Sequence, residues 1–190
     1  MKRKYELKVR AERQAQTRRR IVEAAVDLHT TVGPGATSIS GIAERAGVQR
    51  HTVYAHFPDE DVLFGACSAH WASQNPFPDP ASWQGERDAE RRLGAALTGI
   101  YAWYESVESA LAVLLPYVEA TPAHGQLLQA RRKQLALVAD GLTVGLPRRK
   151  IVRAALGHAL AFETWRSLVR REGLSRRQAV DAMVRFVPNV

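Results

Sequence analysis

The stretch ISGIAERAGVQRHTVYAHFP, residues 39–58, constrains the fold more than any other part of the chain. Its first apolar residues recur at positions i, i+3, i+4 and i+7, a spacing that places them on one face of a helix. They are Ile39, Ile42, Ala43 and Ala46. Gly47 follows where a residue without a side chain takes the left-handed conformation that ends a helix. The pattern therefore predicts a short helix followed by a tight turn.

A second short helix is predicted to pack back onto the first. Val48 is expected to close the turn, and Val53 and Phe57 are spaced to face the first helix. These core positions leave a set of polar or amphipathic side chains free to face a partner. The set comprises Arg50, His51, Thr52, Tyr54 and His56. Two helices joined in this way form a helix-turn-helix unit, whose second helix enters the major groove of DNA.

The region from about Thr17 to Leu63 resembles the DNA-binding domain of the TetR family of bacterial transcriptional regulators. The matching segments are RRRIVEAAVDLH, the loop VGPGATS and the run GIAERAGVQRHTVYAHFPDEDVLF, in which AERAGV, TVY and HFP are the most specific parts. The chain departs from the family at two positions. Gln49 replaces a small hydroxyl residue able to cap the second helix, and Glu60 replaces a lysine that contacts phosphate in many relatives.

The resemblance implies DNA contacts from the second helix and from the start of the first. Arg50 is the candidate for a bidentate hydrogen bond to guanine, with a phosphate contact as the alternative. Gln49 and His51 are placed to reach base edges or phosphates. The other candidates are expected to bind the phosphate backbone, with helix capping as the alternative for the serines. They are Ser38, Ser40, Thr52, Tyr54 and His56.

The distribution of charge is that of a protein with a polyanionic partner. The 190 residues carry a formal net charge of +8. Residues 1–58 contribute +6 of this, with 11 Lys and Arg against 5 Asp and Glu. Positive charge is thus concentrated where the motif lies, as binding to double-stranded DNA requires.

The sequence lacks the motifs that are typical of enzymes and of metal-binding proteins. It contains no G-x-S-x-G, no phosphate-cradling glycine loop and no motif that pairs a nucleophile with a base, so we expect no enzyme. Neither H-x-x-x-H nor a cysteine cluster indicates a metal site, and no cofactor is expected. The single cysteine, Cys67, excludes an internal disulfide and is expected in the core. With no apolar run of about 18 residues and no secretory signal, we expect a cytoplasmic protein that does not span a membrane.

The chain is predicted to be all-α, with about nine helices and three segments. Residues 1–16 form a basic N-terminal arm, which either reaches DNA or is a solubilising tail. Residues 17–74 form the helix-turn-helix domain, in which Thr37 is the expected N-cap of the second helix and Asp59 that of a fourth helix. Residues 75–190 form a helical regulatory and dimerisation domain.

The C-terminal segment yields less specific predictions. We expect one helix from about Glu86, another over residues 106–118 and a long helix over 148–171, apolar on most sides. Ser175 and Gln178 are spaced as a capping box for the last helix.

The resemblance also implies a homodimer and leaves room for a small-molecule effector of unidentified chemistry. The last two long helices of many TetR-type regulators form a four-helix bundle with a second chain. The expected interface residues are Leu156, Leu160, Leu168, Ala179, Met183 and Phe186. The candidates for lining an effector pocket are aromatic, although such residues on helices more often form ordinary core. They are Tyr101, Trp103, Tyr104, Tyr117, Phe162 and Trp165.

The sequence therefore favours a ligand-responsive transcriptional repressor that acts as a homodimer on a near-palindromic operator. A sequence-neutral, architectural DNA-binding protein is the alternative, and the ordered motif with its base-reading arginine argues against it. The residues do not distinguish a repressor from an activator, because that depends on the position of the operator relative to a promoter.

Overall fold

The computed structural model describes residues 2–147 and 149–188. This part of the chain forms ten α-helices and no strand, which confirms the all-α class. The helices are α1 (Lys2–Thr31), α2 (Ile39–Ala46), α3 (Arg50–His56), α4 (Glu60–Gln74), α5 (Ala81–Gln84), α6 (Ala89–Ala120), α7 (Gly125–Leu142), α8 (Lys150–Ala159), α9 (Phe162–Arg166) and α10 (Arg176–Phe186). Among the described helices, none is both long and apolar enough to cross a membrane.

The chain divides into two compact units. The N-terminal unit comprises residues 1–76 and 109–125, and the C-terminal unit comprises residues 77–108 and 126–190. The sequence suggested one boundary after residue 74, whereas the last part of α6 also belongs to the N-terminal unit. Gly33 allows this close packing, since a Cβ there would lie only 3.1 Å from Val113 Cγ1.

Residues 2–16, which the sequence suggested as a basic arm, belong to α1. No glycine or proline occurs between residues 2 and 31, and strong helix formers such as Lys, Arg, Glu, Ala and Gln predominate there. An ion pair joins Lys8 to Glu12 at 3.9 Å, one helical turn apart. The basic residues of this segment are therefore carried on a continuous helix.

The helix-turn-helix forms as predicted, around one small core. Ile42, Val53 and Phe57 have at most 2% of their surface exposed. Gly47 has a φ of 64°, and the two hydrogen bonds of a Schellman motif run from its N–H to the Glu44 carbonyl and from Val48 N–H to the Ala43 carbonyl. These bonds end α2 and direct the chain into α3.

The sequence predicted the N-cap residue of α4 correctly but not that of α2. Ser38 caps α2, because its Oγ accepts a hydrogen bond from Gly41 N–H at 3.0 Å. The expected cap, Thr37, instead donates its hydroxyl to the Gly33 carbonyl, so that prediction was wrong. Asp59 caps α4 as expected, accepting from Asp61 N–H at 2.7 Å. Cys67 is buried on α4, and this burial raises the pKa of its thiol to about 12.

In the second half of the chain, two predicted helices are joined into one and one predicted helix is divided. The two helices expected from Glu86 and over residues 106–118 are one helix, α6, which continues through Pro116. Proline removes a single N–H hydrogen bond, and the rest of the helix is long enough to tolerate that loss. The helix expected over residues 148–171 is divided into α8 and α9. The capping box of Ser175 and Gln178 at the start of α10 is confirmed.

Two tyrosines of α6 account for the break between α8 and α9. The Tyr101 hydroxyl donates to the Ala159 carbonyl at 2.8 Å, and the Tyr104 hydroxyl donates to the Leu160 carbonyl at 2.7 Å. These bonds satisfy carbonyl groups at the end of α8 that would otherwise be buried without a partner. A helix can therefore stop there without a glycine or a proline.

Candidate nucleic-acid interface

The two faces of α3 have opposite character. Val53 is completely buried, and Phe57, directly after the helix, is 2% exposed. On the other face, the side chains of Gln49, Arg50 and His51 are exposed. Tyr54 is 40% exposed although its ring is large and apolar. The helix is therefore held by its inner face and presents a polar and aromatic outer face.

Arg50 and Tyr54 form a pair on this outer face. The Arg50 Nη2 donates to the Tyr54 hydroxyl at 3.2 Å, one helical turn away, and the Arg50 Cζ lies 5.6 Å from the centre of the Tyr54 ring. This hydrogen bond raises the pKa of Arg50 above its ordinary value, so the guanidinium is charged at any physiological pH. The pairing keeps two predicted DNA-contacting groups together on one patch.

The remaining predicted phosphate contacts differ in their accessibility. Ser40 is exposed on α2, whereas the Ser38 hydroxyl oxygen is engaged as the cap of that helix. Thr52 and His56 are half-buried on α3. Gln49 makes no side-chain cap bond at the start of α3, as its chemistry suggested.

Two arginines outside the predicted set anchor the motif. The Arg18 guanidinium of α1 lies 4.5 Å from the centre of the Phe57 ring, a cation–π distance. Arg45 of α2 forms an ion pair with Asp27 of α1 at 2.6 Å. The run of three arginines at residues 18–20 indicates positive charge in the sequence. It does not indicate which of the three arginines contacts an aromatic ring on another helix. Positions of this kind depend on tertiary packing.

The proposed effector-pocket residues are divided between the two units. In the C-terminal unit, the Tyr104 ring centre lies 5.3 Å from that of Phe162 and 5.8 Å from that of Trp165. Tyr101 and Trp103 adjoin the same cluster. Trp165 is fully buried, and its indole Nε1 has no hydrogen-bond partner. Tyr117 belongs to the N-terminal unit.

Most of the proposed interface residues are covered by their own chain. Four side chains are at most 8% exposed, because they form part of the hydrophobic core of the C-terminal unit. They are Leu156, Leu160, Ala179 and Met183. Phe186 is 51% exposed and Leu168 is half-buried, so these two are the members that a second copy can reach. In the part of the chain that the structure describes, no group of three or more His, Cys, Asp or Glu residues could hold a metal ion.

Comparisons with known proteins agree with this geometry in the N-terminal unit. Residues 21–67 match the domain described as bacterial regulatory proteins of the tetR family. A stretch of 50 residues is 46% identical to the HTH-type transcriptional repressor Rv3405c of Mycobacterium tuberculosis, covering 26% of this chain and 27% of that protein. The HTH-type transcriptional regulator Mb3439c of Mycobacterium bovis matches to the same extent. The match thus spans about a quarter of the length of these relatives.

Solved structures resemble the chain over most of its length. A TetR-like transcriptional regulator from Rhodococcus sp. RHA1 has a TM-score of 0.65 and 20% identity, covering 90% of this chain and 93% of that one. A second transcriptional regulator from Rhodococcus sp. RHA1 has a TM-score of 0.60 and 19% identity, covering 90% and 95%. At these identities the likeness establishes the fold alone.

Proposed function

We propose that this chain is a sequence-specific DNA-binding transcriptional regulator of the TetR type, a proposal supported by the match of residues 21–67 to the domain described as bacterial regulatory proteins of the tetR family. One observation carries the proposal. Arg50 and Tyr54 are exposed as a pair on the outer face of α3, while Val53 and Phe57 fix the inner face. An arginine offers a planar fork of donors that matches the O6 and N7 atoms of guanine.

The chain acts as a homodimer on a near-palindromic operator. One copy of α3 reads only a few base pairs, and two-fold pairing places a second copy about 34 Å away, in the next major groove. Phe186 and Ile151, which are 51% and 63% exposed, supply apolar surface for this pairing in the C-terminal unit. The chain reaches bacterial DNA in the cytoplasm, a reducing compartment, and the buried free thiol of Cys67 is compatible with that location.

The regulator responds to a small molecule through the C-terminal unit. The unpartnered Nε1 of Trp165 supports this part of the proposal, since a buried donor without an acceptor costs about 1–3 kcal/mol. A ligand with an acceptor group would recover that energy among the rings of Tyr104 and Phe162. It releases DNA only if it binds one arrangement of the dimer more tightly than the other.

Repression is the favoured direction of regulation. The Mycobacterium tuberculosis relative, 46% identical over 50 residues, is named a repressor. A transcription assay with purified polymerase tests this directly. We expect the protein to lower transcription from a promoter that overlaps its operator, and increased transcription would make it an activator.

Selection of bound sequences from random duplex DNA tests DNA reading. We expect enrichment of a near-palindrome whose half-sites are about one helical turn apart. Arg50→Ala should weaken binding to the selected site about ten-fold or more and relax the choice of base at one position of each half-site. Arg132→Ala, which removes an exposed arginine of α7 in the other unit, is the matched control and should leave both unchanged.

Three results would contradict the proposal. Absence of any enriched sequence would indicate a sequence-neutral, architectural protein, the alternative function. Unchanged base preference in Arg50→Ala would remove Arg50 from the base-reading residues. A single-chain mass at every concentration in light scattering would exclude the homodimer. Repeating the selection in the presence of cell metabolites tests the effector, while turnover of any metabolite would reveal an enzyme.

A further inference from the structure

The N-terminal unit contains a cavity of about 80 Å³, which we call the His29 cavity. Its walls come from the end of α1, the loop after it, α2, the start of α4, the last turns of α6 and the 3-10 turn at residues 122–124. This volume is roughly half that of an apolar cavity that holds benzene, about 150 Å³. It accommodates a group of a few heavy atoms, with the rest of a longer molecule extending from the opening.

His29 provides an unsatisfied polar atom in this wall. Its side chain is 8% exposed, and the ring Nδ1 has no hydrogen-bond partner. Burial, together with the nearby charge of His124, lowers the pKa of His29 to about 4. The imidazole is consequently neutral at physiological pH, and one of its ring nitrogens is an acceptor. A neutral ring also does not repel a positively charged ligand.

Aromatic faces surround the same space. The ring centre of Phe64 lies 4.0 Å from that of His124, 5.5 Å from that of His29 and 6.0 Å from that of Tyr117. Aromatic faces carry partial negative charge and attract cations that lie within about 6 Å of the ring centre. The inner walls are therefore apolar and attractive to a positively charged group.

Besides the two histidines, the ionic groups that line the cavity are acidic. Glu60 and Asp61, both exposed at the start of α4, contribute to the lining, and no lysine or arginine does so among the described residues. The positive end of the α4 dipole amounts to about half a charge, so the two carboxylates outweigh it. A buried cation loses its hydration, and carboxylates at the mouth compensate for that loss.

We propose that the His29 cavity binds the ammonium end of a small alkylammonium compound. The ammonium donates hydrogen bonds to the neutral imidazole of His29 and to the carboxylates of Glu60 and Asp61, while its methylene groups pack against Phe64 and Leu63. The donor set does not suit a metal ion, because no group of three or more metal-binding side chains occurs in the described part of the chain. This site is separate from the aromatic cluster of the C-terminal unit and does not depend on operator binding.

Titration of the full chain with three probes of similar size and different charge tests the proposal. The probes are propylammonium chloride, 1-propanol and sodium propionate at constant ionic strength, and the readout is the 15N resonance of the His29 ring. We expect propylammonium to bind with a dissociation constant of roughly 1–10 mM, as its size allows, and the other two at least ten-fold more weakly. This comparison needs no variant.

A charge-removing variant locates the site. The double substitution Glu60→Gln and Asp61→Asn keeps the shape of the cavity and should weaken propylammonium binding at least ten-fold. Glu44→Gln removes an exposed carboxylate of α2 that does not line the cavity, and should leave binding unchanged. Thermal unfolding of each variant verifies that it is folded.

Several outcomes would overturn the proposal. Equal binding of the three probes would show a merely apolar cavity, and stronger binding of propionate would show the opposite charge preference. A His29 resonance that does not shift up to about 100 mM propylammonium would show that the cavity does not bind the ammonium group. Micromolar Zn²⁺ that displaces propylammonium would assign the two histidines to a metal ion.

Discussion

Replacement of Gly47 by alanine isolates the conformational requirement of the turn between α2 and α3. Gly47 has a φ of 64°, and a Cβ placed on it would meet no atom within 4 Å. The substitution therefore causes no clash, and its effect comes from the backbone alone. The left-handed conformation costs alanine about 1–2 kcal/mol. Reduced freedom of the unfolded chain offsets about 0.4–1 kcal/mol of this, so we expect a net destabilisation of about 1 kcal/mol.

Gly65 is a matched control in the same unit. It lies within α4, is also exposed, and a Cβ there would also meet no atom within 4 Å, but its φ is not positive. Alanine is about 0.8–1 kcal/mol more favourable than glycine inside a helix. Gly65→Ala should therefore stabilise the protein by up to about 1 kcal/mol. The two substitutions add the same methyl group and should differ by about 2 kcal/mol.

Urea denaturation followed by far-ultraviolet circular dichroism measures both variants. With an m-value of about 2 kcal/mol per molar urea, the two midpoints should move in opposite directions by about 0.5 M each. Gly47→Asn should fall between wild type and Gly47→Ala, because asparagine tolerates the left-handed region better than alanine. The reasoning is refuted if Gly47→Ala is as stable as wild type, or if both alanine variants shift in the same direction.

Three further predictions concern single side chains. Tyr54→Phe removes the hydroxyl that accepts a hydrogen bond from Arg50 but keeps the ring. The affinity for the operator, measured by fluorescence anisotropy, should therefore fall about 3- to 10-fold. Unchanged affinity would show that the hydroxyl contributes nothing to binding. The Cys67 thiol, buried and with its pKa raised to about 12, should react with a disulfide reagent at pH 8 only as fast as the unit opens, and immediate labelling of native protein would contradict its burial. The pKa of His29 is about 4 in the folded chain and 6.5 in the unfolded chain. Between pH 4 and 6.5 the unfolded chain therefore binds more protons than the folded chain. The free energy of unfolding should consequently fall as the pH drops from 6.5 to 4. His29→Gln should flatten this dependence in denaturation curves, and an unchanged dependence in that variant would contradict the assignment to His29.

The helix-turn-helix could be predicted from the sequence because its determinants are local. The apolar spacing of α2, the glycine after it and the spacing of Val53 and Phe57 all lie within twenty residues. Each of these features directly indicates either a backbone conformation or the buried face of a helix. The same holds for the capping box at Ser175 and Gln178, whose two partners are three residues apart.

The course of the C-terminal unit could not be predicted in the same way. The residues that end α8 are neither glycine nor proline, and the tyrosine hydroxyls that satisfy its carbonyls come from 56 and 58 residues earlier in the chain. Two helices were expected where α6 forms a single one, which continues past Pro116 to Ala120. Pairings at such sequence distances leave no periodic signal.

The candidate site falls between these two cases. The sequence indicated which residues of α3 face outward, since that follows from the buried positions of Val53 and Phe57. It did not indicate that Arg18 contacts the Phe57 ring or that Tyr117 joins His29 at a cavity, because these contacts depend on how α1 and α6 pack within the unit. The local sequence thus identifies the residues that face outward, whereas the contacts that hold α3 in place depend on the tertiary structure.

The Arg50–Tyr54 contact bears on how base preference is set. A guanidinium has five donors, and only one is used on the Tyr54 hydroxyl, so the fork that matches guanine can form while that bond is kept. Lysine at this position would lose the planar fork and its stacking on the Tyr54 ring, although it would keep the charge. Arg50→Lys should therefore retain attraction to DNA in general but lose most of the preference for guanine. Affinity and discrimination would then separate in a single substitution, which a nonspecific phosphate contact by Arg50 cannot produce.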